Sequence, residues 1–342
     1  MSDTYLFDSS IIEAAKKLLN GELVAFPTET VYGLGADAEN PDAVAKIYQA
    51  KGRPANHPLI VHIPPDANIQ YWTSSVPEEA FALMEAFWPG PLTLILPKAD
   101  HIPSAVSGGQ NSIGIRCPSH PVAQQLLKAF AMLKTNGQGG VAAPSANKFG
   151  HVSPTSAAHV LSEFPEEIAS GILSVLEGDD SEIGIESTIV DLSRVKDGVG
   201  AVLLRPGHIT RSQLAEVLGY QPASPDKSAP RVSGSLKAHY APNTPLQLIK
   251  EADLDRLPSL VPAIEKWAVL TFADIDTLPS SSNLNYFNVS TNAQDYAHDI
   301  YALLRQLDTK GFQRIMVQSL PQDDDNWEAL NDRLQRAAAA FE

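Results

Sequence analysis

Four hydrogen-bonding side chains follow directly after the first buried strand that the sequence predicts. Residues 21–26 are apolar enough for such a strand. The polar residues that come next are Thr28, Glu29, Thr30 and Tyr32. Local sequence rules often fail where function lies, so this segment is a candidate binding site. A hydrogen-bonded turn uses the same residue types, and the segment alone leaves both interpretations open.

Two cations and two histidines follow in the segment KGRPANHPLIVHI. Lys51 and Arg53 flank one glycine. Side chains two positions apart in an extended segment point to the same face, so we expect the two cations to face one anion. His62 is the one polar residue of the strand predicted over residues 59–63. A solvated cationic loop and a structural histidine are the alternative interpretations.

Two more groups of polar residues lie further along the chain. Ser112 and Arg116 are four apart on the predicted strand SIGIR and therefore share a face, where the arginine could hold a carboxylate or phosphate with two hydrogen bonds. Ser145, Asn147 and Ser153 surround a turn before a predicted helix. Hydroxyls, amides and helix N-terminal N–H groups suit phosphate oxygens. Ordinary turn chemistry explains each group taken alone, so the weight rests on their joint occurrence.

Composition limits the function classes. The chain has 342 residues, of which 44% are hydrophobic, and this length predicts two globular domains. The 40 acidic residues outnumber the 25 basic ones, and the formal charge of −15 opposes nonspecific binding to nucleic acids or anionic membranes. A nucleotide site must then be a local basic pocket. The single cysteine, Cys117, excludes an internal disulfide and a thiolate zinc cluster.

The alternation of helical and strand patterns predicts a mixed α/β sheet covered by helices. Capping boxes are predicted at Ser10 with Glu13 and at Thr210 with Gln213. We expect a first domain over residues 1–219, a proline- and serine-rich linker over 220–245, and a second α/β domain over 246–342. The start of the sequence carries no positively charged segment of the kind that signals secretion, and no run of eighteen apolar residues occurs. A cytoplasmic protein that makes no membrane contact is the expectation.

Several familiar motifs fail. GLGADA, residues 33–38, nominally matches a dinucleotide fingerprint, but the acidic residue needed about twenty positions later is missing, and a plain turn is the favoured interpretation. The sequence contains no GxxxxGK[ST], HExxH or GxSxG motif. Asp179, Asp180 and Glu182 form an acidic cluster, for which a solvated loop is a better explanation than a metal site.

Six segments together resemble the threonylcarbamoyl-AMP synthase family, also called YrdC-like: PTETVYGLG, KGRP followed by PL, FWPGPLT, SIGIRCPSHP, APSAN and GIESTIVD. Residues from about Leu6 to Gly219 resemble its catalytic domain, and the remainder resembles the smaller C-terminal domain of its longer members. The resemblance implies a twisted mixed sheet around a concave cationic cavity, a second Rossmann-like domain, and a linker folded over the active site. RVSGSLKAHYAP resembles that linker but departs from its commoner form PGMKYRHYAP.

The resemblance also implies substrates and residue roles. The reaction joins L-threonine, bicarbonate or carbon dioxide, and ATP, which is accompanied by Mg²⁺, to give threonylcarbamoyl-AMP and pyrophosphate. The residues implied at the ATP site are Lys51, Arg53, Asn56, His57, Ser112, Ser145, Asn147, Ser153, Arg205 and His239. Those implied at the threonine site are Thr30, His62, Arg116, Ala143 and Ser187. Lys51, Arg53 and His62 are the catalytic candidates, with His62 as a hypothetical proton acceptor, and His239 or Tyr240 would close the lid.

The product would pass to a partner transferase complex that modifies the adenosine beside the tRNA anticodon, with at most weak tRNA contact by this chain. Two rival interpretations remain at this stage. One is an RNA-binding module, which the local cations favour and the net charge opposes. The other is a different carbamoyl-transfer enzyme related to hydrogenase maturation proteins. Those proteins carry zinc fingers, for which a single cysteine leaves no room.

Overall fold

A computed structural model describes residues 7–279 and 281–342. The chain forms two compact units, one comprising the residues up to Phe149 together with Ser153–Ser235, and the other comprising Gly150–Val152 and Leu236–Glu342. The predicted linker is thus divided, because its residues 220–235 belong to the first unit and 236–245 to the second. The domain functions and the role of the linker stay predictions.

The first unit alternates helices and strands along most of its length. Its described helices are α1 Ser9–Leu19, α2 Pro41–Lys51, α3 Ile69–Trp72, α4 Glu78–Phe87, α5 Pro121–Leu133, α6 Ala157–Glu163, α7 Pro165–Ala169 and α8 Arg211–Leu218. Its described strands are β1 Leu23–Phe26, β2 Gly33–Asp37, β3 Ile60–His62, β4 Leu92–Pro97, β5 Ser112–Arg116, β6 Val141–Ala142, β7 Leu173–Val175, β8 Thr188–Asp191 and β9 Val202–Arg205.

These strands form one mixed sheet in the order β7-β1-β2-β6-β3-β5-β4-β8-β9. Pairing is parallel for β3 with β5 and for β4 with β8, and antiparallel for β4 with β5. Helices α1 and α5 pack together through Leu18, Leu126 and Phe130, and this cluster also contains Val24 and Phe26 of β1. The predicted mixed α/β fold class is confirmed.

The second unit contains a smaller, fully parallel sheet. Its described elements are β10 Leu246–Ile249, α9 Leu257–Leu260, β11 Trp267–Thr271, β12 Leu284–Asn288, α10 Ala293–Asp308, β13 Arg314–Gln318 and α11 Glu328–Ala338. The strand order is β10-β13-β11-β12, and every pairing is parallel. Within the described residues, no helix combines the length and apolar character needed to cross a membrane.

Some local predictions hold and others are corrected. Thr210 and Gln213 form the predicted capping box of α8. At α1, however, the N-cap is Asp8, two residues before Ser10, and its carboxylate accepts from the N–H of Ser10 as an N-cap side chain does. The prediction of a plain turn for GLGADA is wrong, because Gly33–Asp37 is a fully buried strand that pairs antiparallel with β1.

The expectation that Lys51 and Arg53 share an extended segment is also wrong. Lys51 is the last residue of α2, and Gly52 ends that helix in the left-handed conformation at φ 63°. Glycine adopts this conformation without a steric penalty, which lets the chain reverse between the two cations. Both side chains are nevertheless buried, at 3% and 6% exposure, so a solvated loop does not describe them.

Candidate active site

The centre of the candidate site is a row of polar side chains across three neighbouring strands. His62 of β3 lies opposite Arg116 of β5, and Arg116 lies opposite Thr93 of β4. Residues directly opposite each other in adjacent strands project from the same face of a sheet. All three are buried, so one face of the sheet carries a desolvated polar row. Unpartnered polar groups are costly in such a place, and a ligand can satisfy them.

Arg116 is held by residues from the segment that follows β1. Its Nη2 atom lies 2.5 Å from Oε1 of Glu29, and its Nη1 atom donates to Oγ1 of Thr30 at 2.8 Å. The Nε–H donates to the carbonyl of Gly90 at 3.3 Å. Glu29 also accepts from the N–H of Ser119 at 3.1 Å. The polar segment that follows β1 therefore positions Arg116, which lies 87 residues after Glu29 in the chain.

A second run of hydrogen bonds leads from the polar row towards Arg53. Thr93 Oγ1 and Ser187 Oγ share a hydrogen bond of 2.8 Å. Arg205 donates from Nε and Nη2 to the carbonyl of Ser187, at 3.0 and 2.8 Å, and from Nη1 to the carbonyl of Ser233 at 3.0 Å. Arg53 Nη1 lies 3.4 Å from Oγ of Ser233. Arg205 and Arg53 are thus joined through one serine of the predicted linker.

Lys51 reaches the turn that follows β6. Its Nζ atom donates to the carbonyls of Ser145, at 2.6 Å, and of Asn147. Burial lowers the pKa of Lys51 well below its ordinary value of 10.5, and the nearby charge of Arg53 lowers the pKa further. Ser145 also forms an isolated antiparallel bridge with Gly33 of β2. Two groups that lie far apart in the sequence, KGRP and APSAN, therefore meet.

Other predicted residues occupy the same unit. Ser153 donates to Oε1 of Glu186, the residue just before Ser187, and both are buried. The backbone N–H of Ala143 donates to the carbonyl of Ile60 at 2.9 Å. His57 packs edge-on against Phe149, with ring centroids 5.4 Å apart. Burial, together with the charges of Arg53 and Arg231, lowers the pKa of His57. Asn56 is exposed, and Ser112 is buried in β5.

His239 belongs to the second unit, where it is buried and its ring meets that of Tyr240 at a centroid distance of 4.2 Å. The backbone N–H of His239 donates to the carbonyl of Arg336 at 3.2 Å. The other predicted site residues all belong to the first unit. A cavity of about 690 Å³ lies in the second unit beside β10 and α11, and no predicted site residue lines it.

His62 is the only imidazole in the polar row. Burial, and then the positive charge of Arg116, lowers the pKa of His62 to about 3. The imidazole is therefore neutral at physiological pH and can offer a lone pair or an N–H to a ligand. Its ring meets the edge of Phe26 at a centroid distance of 5.9 Å, which fixes its orientation.

The site also contains residues that sequence analysis did not assign to it. They are Thr93, Glu186 and Ser233, and Glu29 was noted without a role. Each lies inside a segment quoted for the resemblance, so the motifs themselves carried a signal for all four: Glu29 in PTETVYGLG, Thr93 in FWPGPLT, Glu186 in GIESTIVD and Ser233 in RVSGSLKAHYAP. No group of three or more His, Cys, Asp or Glu residues able to hold a metal ion occurs among the described residues.

Comparison with known proteins identifies the fold and the family of this chain. The family model Sua5_yciO_yrdC, described as telomere recombination, matches residues 16–207. A second model, described as the threonylcarbamoyl-AMP synthase C-terminal domain, matches residues 209–339. The chain belongs to the threonylcarbamoyl-AMP synthase family. It is therefore an enzyme of the nucleotidyl-transfer type.

Individual members of the threonylcarbamoyl-AMP synthase family match along nearly the whole chain. The Bacillus subtilis protein named threonylcarbamoyl-AMP synthase is 38% identical over 97% of this chain and 93% of its own length. The Pyrococcus abyssi protein of the same name is 34% identical over 95% of this chain. A solved structure of P. abyssi Sua5 complexed with L-threonine has a TM-score of 0.83 at 32% identity, and it covers 97% of this chain and 94% of that one.

Proposed function

We propose that this chain forms L-threonylcarbamoyladenylate and pyrophosphate from L-threonine, bicarbonate or carbon dioxide, and ATP, for threonylcarbamoyladenosine modification of tRNA. The observation that supports this assignment is the meeting of two kinds of anion-binding group in one unit. Lys51, Arg53 and Arg205 suit a polyphosphate, and Arg116 suits a carboxylate. A reaction between ATP and an amino acid requires both.

In this proposal, Lys51 and Arg53 bind the triphosphate, and Arg205 binds it through the guanidinium that now holds Ser187 and Ser233. Buried cations need counter-charges, and a triphosphate supplies several. The other residues that we propose at the nucleotide site are Asn56, His57, Ser112, Ser145, Asn147, Ser153 and His239. Because burial lowers the pKa of Lys51, binding of the triphosphate should draw a proton onto its amine.

The described residues fit magnesium in the form in which ATP carries it. Mg²⁺ bound to phosphates needs only one or two protein carboxylates and keeps several waters, so a three-residue cluster is unnecessary. Glu186, beside Ser153, is the buried carboxylate that we propose as its protein ligand. When bound, the ion neutralises charge on the phosphates during transfer.

The threonine side comprises Arg116, Thr30, His62, Ser187 and Ala143. Arg116 would hold the α-carboxylate, and the neutral His62 would face the amine. The uncharged amine adds to carbon dioxide and loses a proton to water to give a carbamate, because His62, with a pKa of about 3, is too weak a base to retain that proton. A carbamate oxygen then attacks the α-phosphorus as the bond to the β-phosphate oxygen breaks, and pyrophosphate leaves. Positioning and charge neutralisation account for most of such a rate enhancement.

Residues 231–233 of the predicted linker act as a lid in this proposal. Gln110 accepts from the N–H of Arg231 at 2.8 Å and donates back to its carbonyl at 3.0 Å. Val232 packs against Ile60 and Ile95, on the face that carries the polar row. Because Ser233 accepts hydrogen bonds from Arg53 and Arg205, ATP must displace Ser233 to reach both guanidinium groups.

The product is a reactive mixed anhydride, so we propose that it passes to a tRNA threonylcarbamoyl transferase complex. This chain would then make at most weak contact with tRNA. We place the activity in the cytoplasm, where ATP, threonine and tRNA occur together.

A pyrophosphate-release assay tests this function. Release should require threonine, bicarbonate and ATP together, and omission of any one should abolish it. Lys51→Met and Arg53→Met should lower kcat by about 100-fold or more, because each removes a charge at the transferring phosphates. Lys46→Met, which removes an amine bonded to the carbonyl of Gly21 outside the site, is the matched control. Release that is independent of threonine would contradict the proposed function.

A further inference from the structure

The ion pair between Glu29 and Arg116 leaves some N–H donors of the arginine available to a ligand. Both side chains are nearly inaccessible, with 4% and 5% exposure. A guanidinium group has five N–H donors. In Arg116, one goes to Glu29, one to Thr30 and one to Gly90. Two donors, one on each terminal nitrogen, are left for a ligand, which is the number that a carboxylate accepts when it binds with both oxygens.

The charge around Arg116 is already balanced before a ligand arrives. Glu29 neutralises the guanidinium at 2.5 Å. Burial lowers the pKa of the neighbouring His62 to about 3, so it adds no positive charge. Thr30 and Thr93, on the two sides of Arg116, are uncharged. A ligand bound through a carboxylate alone would bring an uncompensated negative charge into this buried place, and such a charge is costly.

A zwitterion avoids that cost, because its ammonium group balances its carboxylate. We propose that Glu29 is a specificity-determining residue: with Arg116 it forms a neutral pair that selects a zwitterionic amino acid over an anion of the same shape. This inference rests on the proposed function and concerns how its threonine site chooses its substrate. Arg116 binds the α-carboxylate, and the carboxylate of Glu29 stabilises the ammonium group on entry. The buried charge then stays near zero.

Glu29→Gln is the decisive variant, because it keeps the size of the side chain and removes its charge. Binding of L-threonine is compared with binding of 2,3-dihydroxybutanoate, in which a hydroxyl replaces the amine and the net charge is −1. Calorimetry on the full chain gives the ratio of the two dissociation constants. The unmodified protein should bind threonine much more tightly than the hydroxy acid. Glu29→Gln should reduce this preference for threonine by roughly tenfold or more, because the variant lacks one buried charge. Glu39→Gln makes the same change at a carboxylate bonded to Asn136 and should leave the ratio unchanged.

The outcomes separate this inference from the function on which it rests. An unchanged ratio in Glu29→Gln, with threonine still bound, would overturn the role of Glu29 and leave the proposed function standing. If the variant does not fold, the unmodified protein still decides: equal affinity for threonine and for the hydroxy acid would overturn the inference. Failure of the unmodified protein to bind threonine at all would contradict the proposed function itself.

Discussion

At the scale of single residues, burial sets the charge state of the site. Lys51, Arg53, Arg116 and Arg205 are each 6% exposed or less. The carboxylates buried with them are Glu29 and Glu186. Buried charges are tolerated when they are paired or when a ligand pairs them, and this excess of cations is suited to a polyanionic substrate. Cations therefore outnumber carboxylates at the site, although the whole chain carries a formal charge of −15.

His62 should make stability depend on pH in a defined window. Its pKa is about 3 in the folded chain and near 6.5 when unfolded. Between these values the unfolded state binds more protons, so stability falls as the pH drops below 6.5. The expected loss at pH 5 is about 2 kcal/mol. Urea unfolding of the unmodified protein and of His62→Asn at pH 7.5 and pH 5 checks this, because the variant should lose less stability on acidification. Equal losses in the two proteins would contradict the pKa of His62.

The sequence indicated most single residues of the site but not how they are connected. Residue type and motif pointed to Lys51, Arg53 and Arg116. The ion pair of Arg116 with Glu29 joins positions 87 apart, and the bond of Thr93 with Ser187 joins positions 94 apart. Such contacts depend on the order of strands in the sheet, which local periodicity does not contain. For that reason Thr93 was not assigned to the site, although it lies in the motif FWPGPLT.

At the scale of elements, strands such as β1, β3 and β5 and the start of helix α8 could be predicted from periodicity and capping residues, because both signals are local. The segment GLGADA shows where this fails. Its glycines suggest a turn, yet they lie in the buried strand β2. A Cβ atom at Gly35 would come within 2.8 Å of both Phe26 and Val141, so glycine is needed there for close packing. The neighbours that create this need belong to β1 and β6 and are invisible in the local sequence.

Gly35→Ala should therefore destabilise the first unit by about 1–3 kcal/mol, as overpacking of a full core does. Gly33→Ala is the matched control on the same face of the same strand. Its Cβ would meet Ala143 at 3.2 Å and Phe26 at 3.4 Å, so a smaller loss is expected. Urea unfolding followed by tryptophan fluorescence measures both. Equal stability of the two variants would show that the packing around Gly35 is looser than the structure indicates.

At the scale of the whole molecule, length indicated more than one unit, and the alternation of helical and strand patterns indicated an α/β protein. This fold class is confirmed by the nine-stranded mixed sheet formed within residues 7–279. The strand order could not be predicted. Sheet neighbours such as β2 and β6 lie about a hundred positions apart, and turn residues set only sequential pairings. The sequence also did not predict that residues 220–235 belong to the first unit, because their proline- and serine-rich composition indicates only irregular structure.

The charge of the whole chain argues against an RNA-binding role, and this leads to the last prediction. Binding to RNA gains most of its free energy from cations that displace counterions from phosphates. This chain carries a formal charge of −15, and its four most buried site cations are engaged in the first unit. We expect dissociation constants for tRNA weaker than about 10⁻⁴ M at physiological salt, the weak limit of ordinary nonspecific binding. Filter binding at 50 and 150 mM salt, without substrates and beside a basic RNA-binding protein as positive control, measures this. Micromolar binding that falls steeply with salt would contradict the prediction and would favour an RNA surface on this chain.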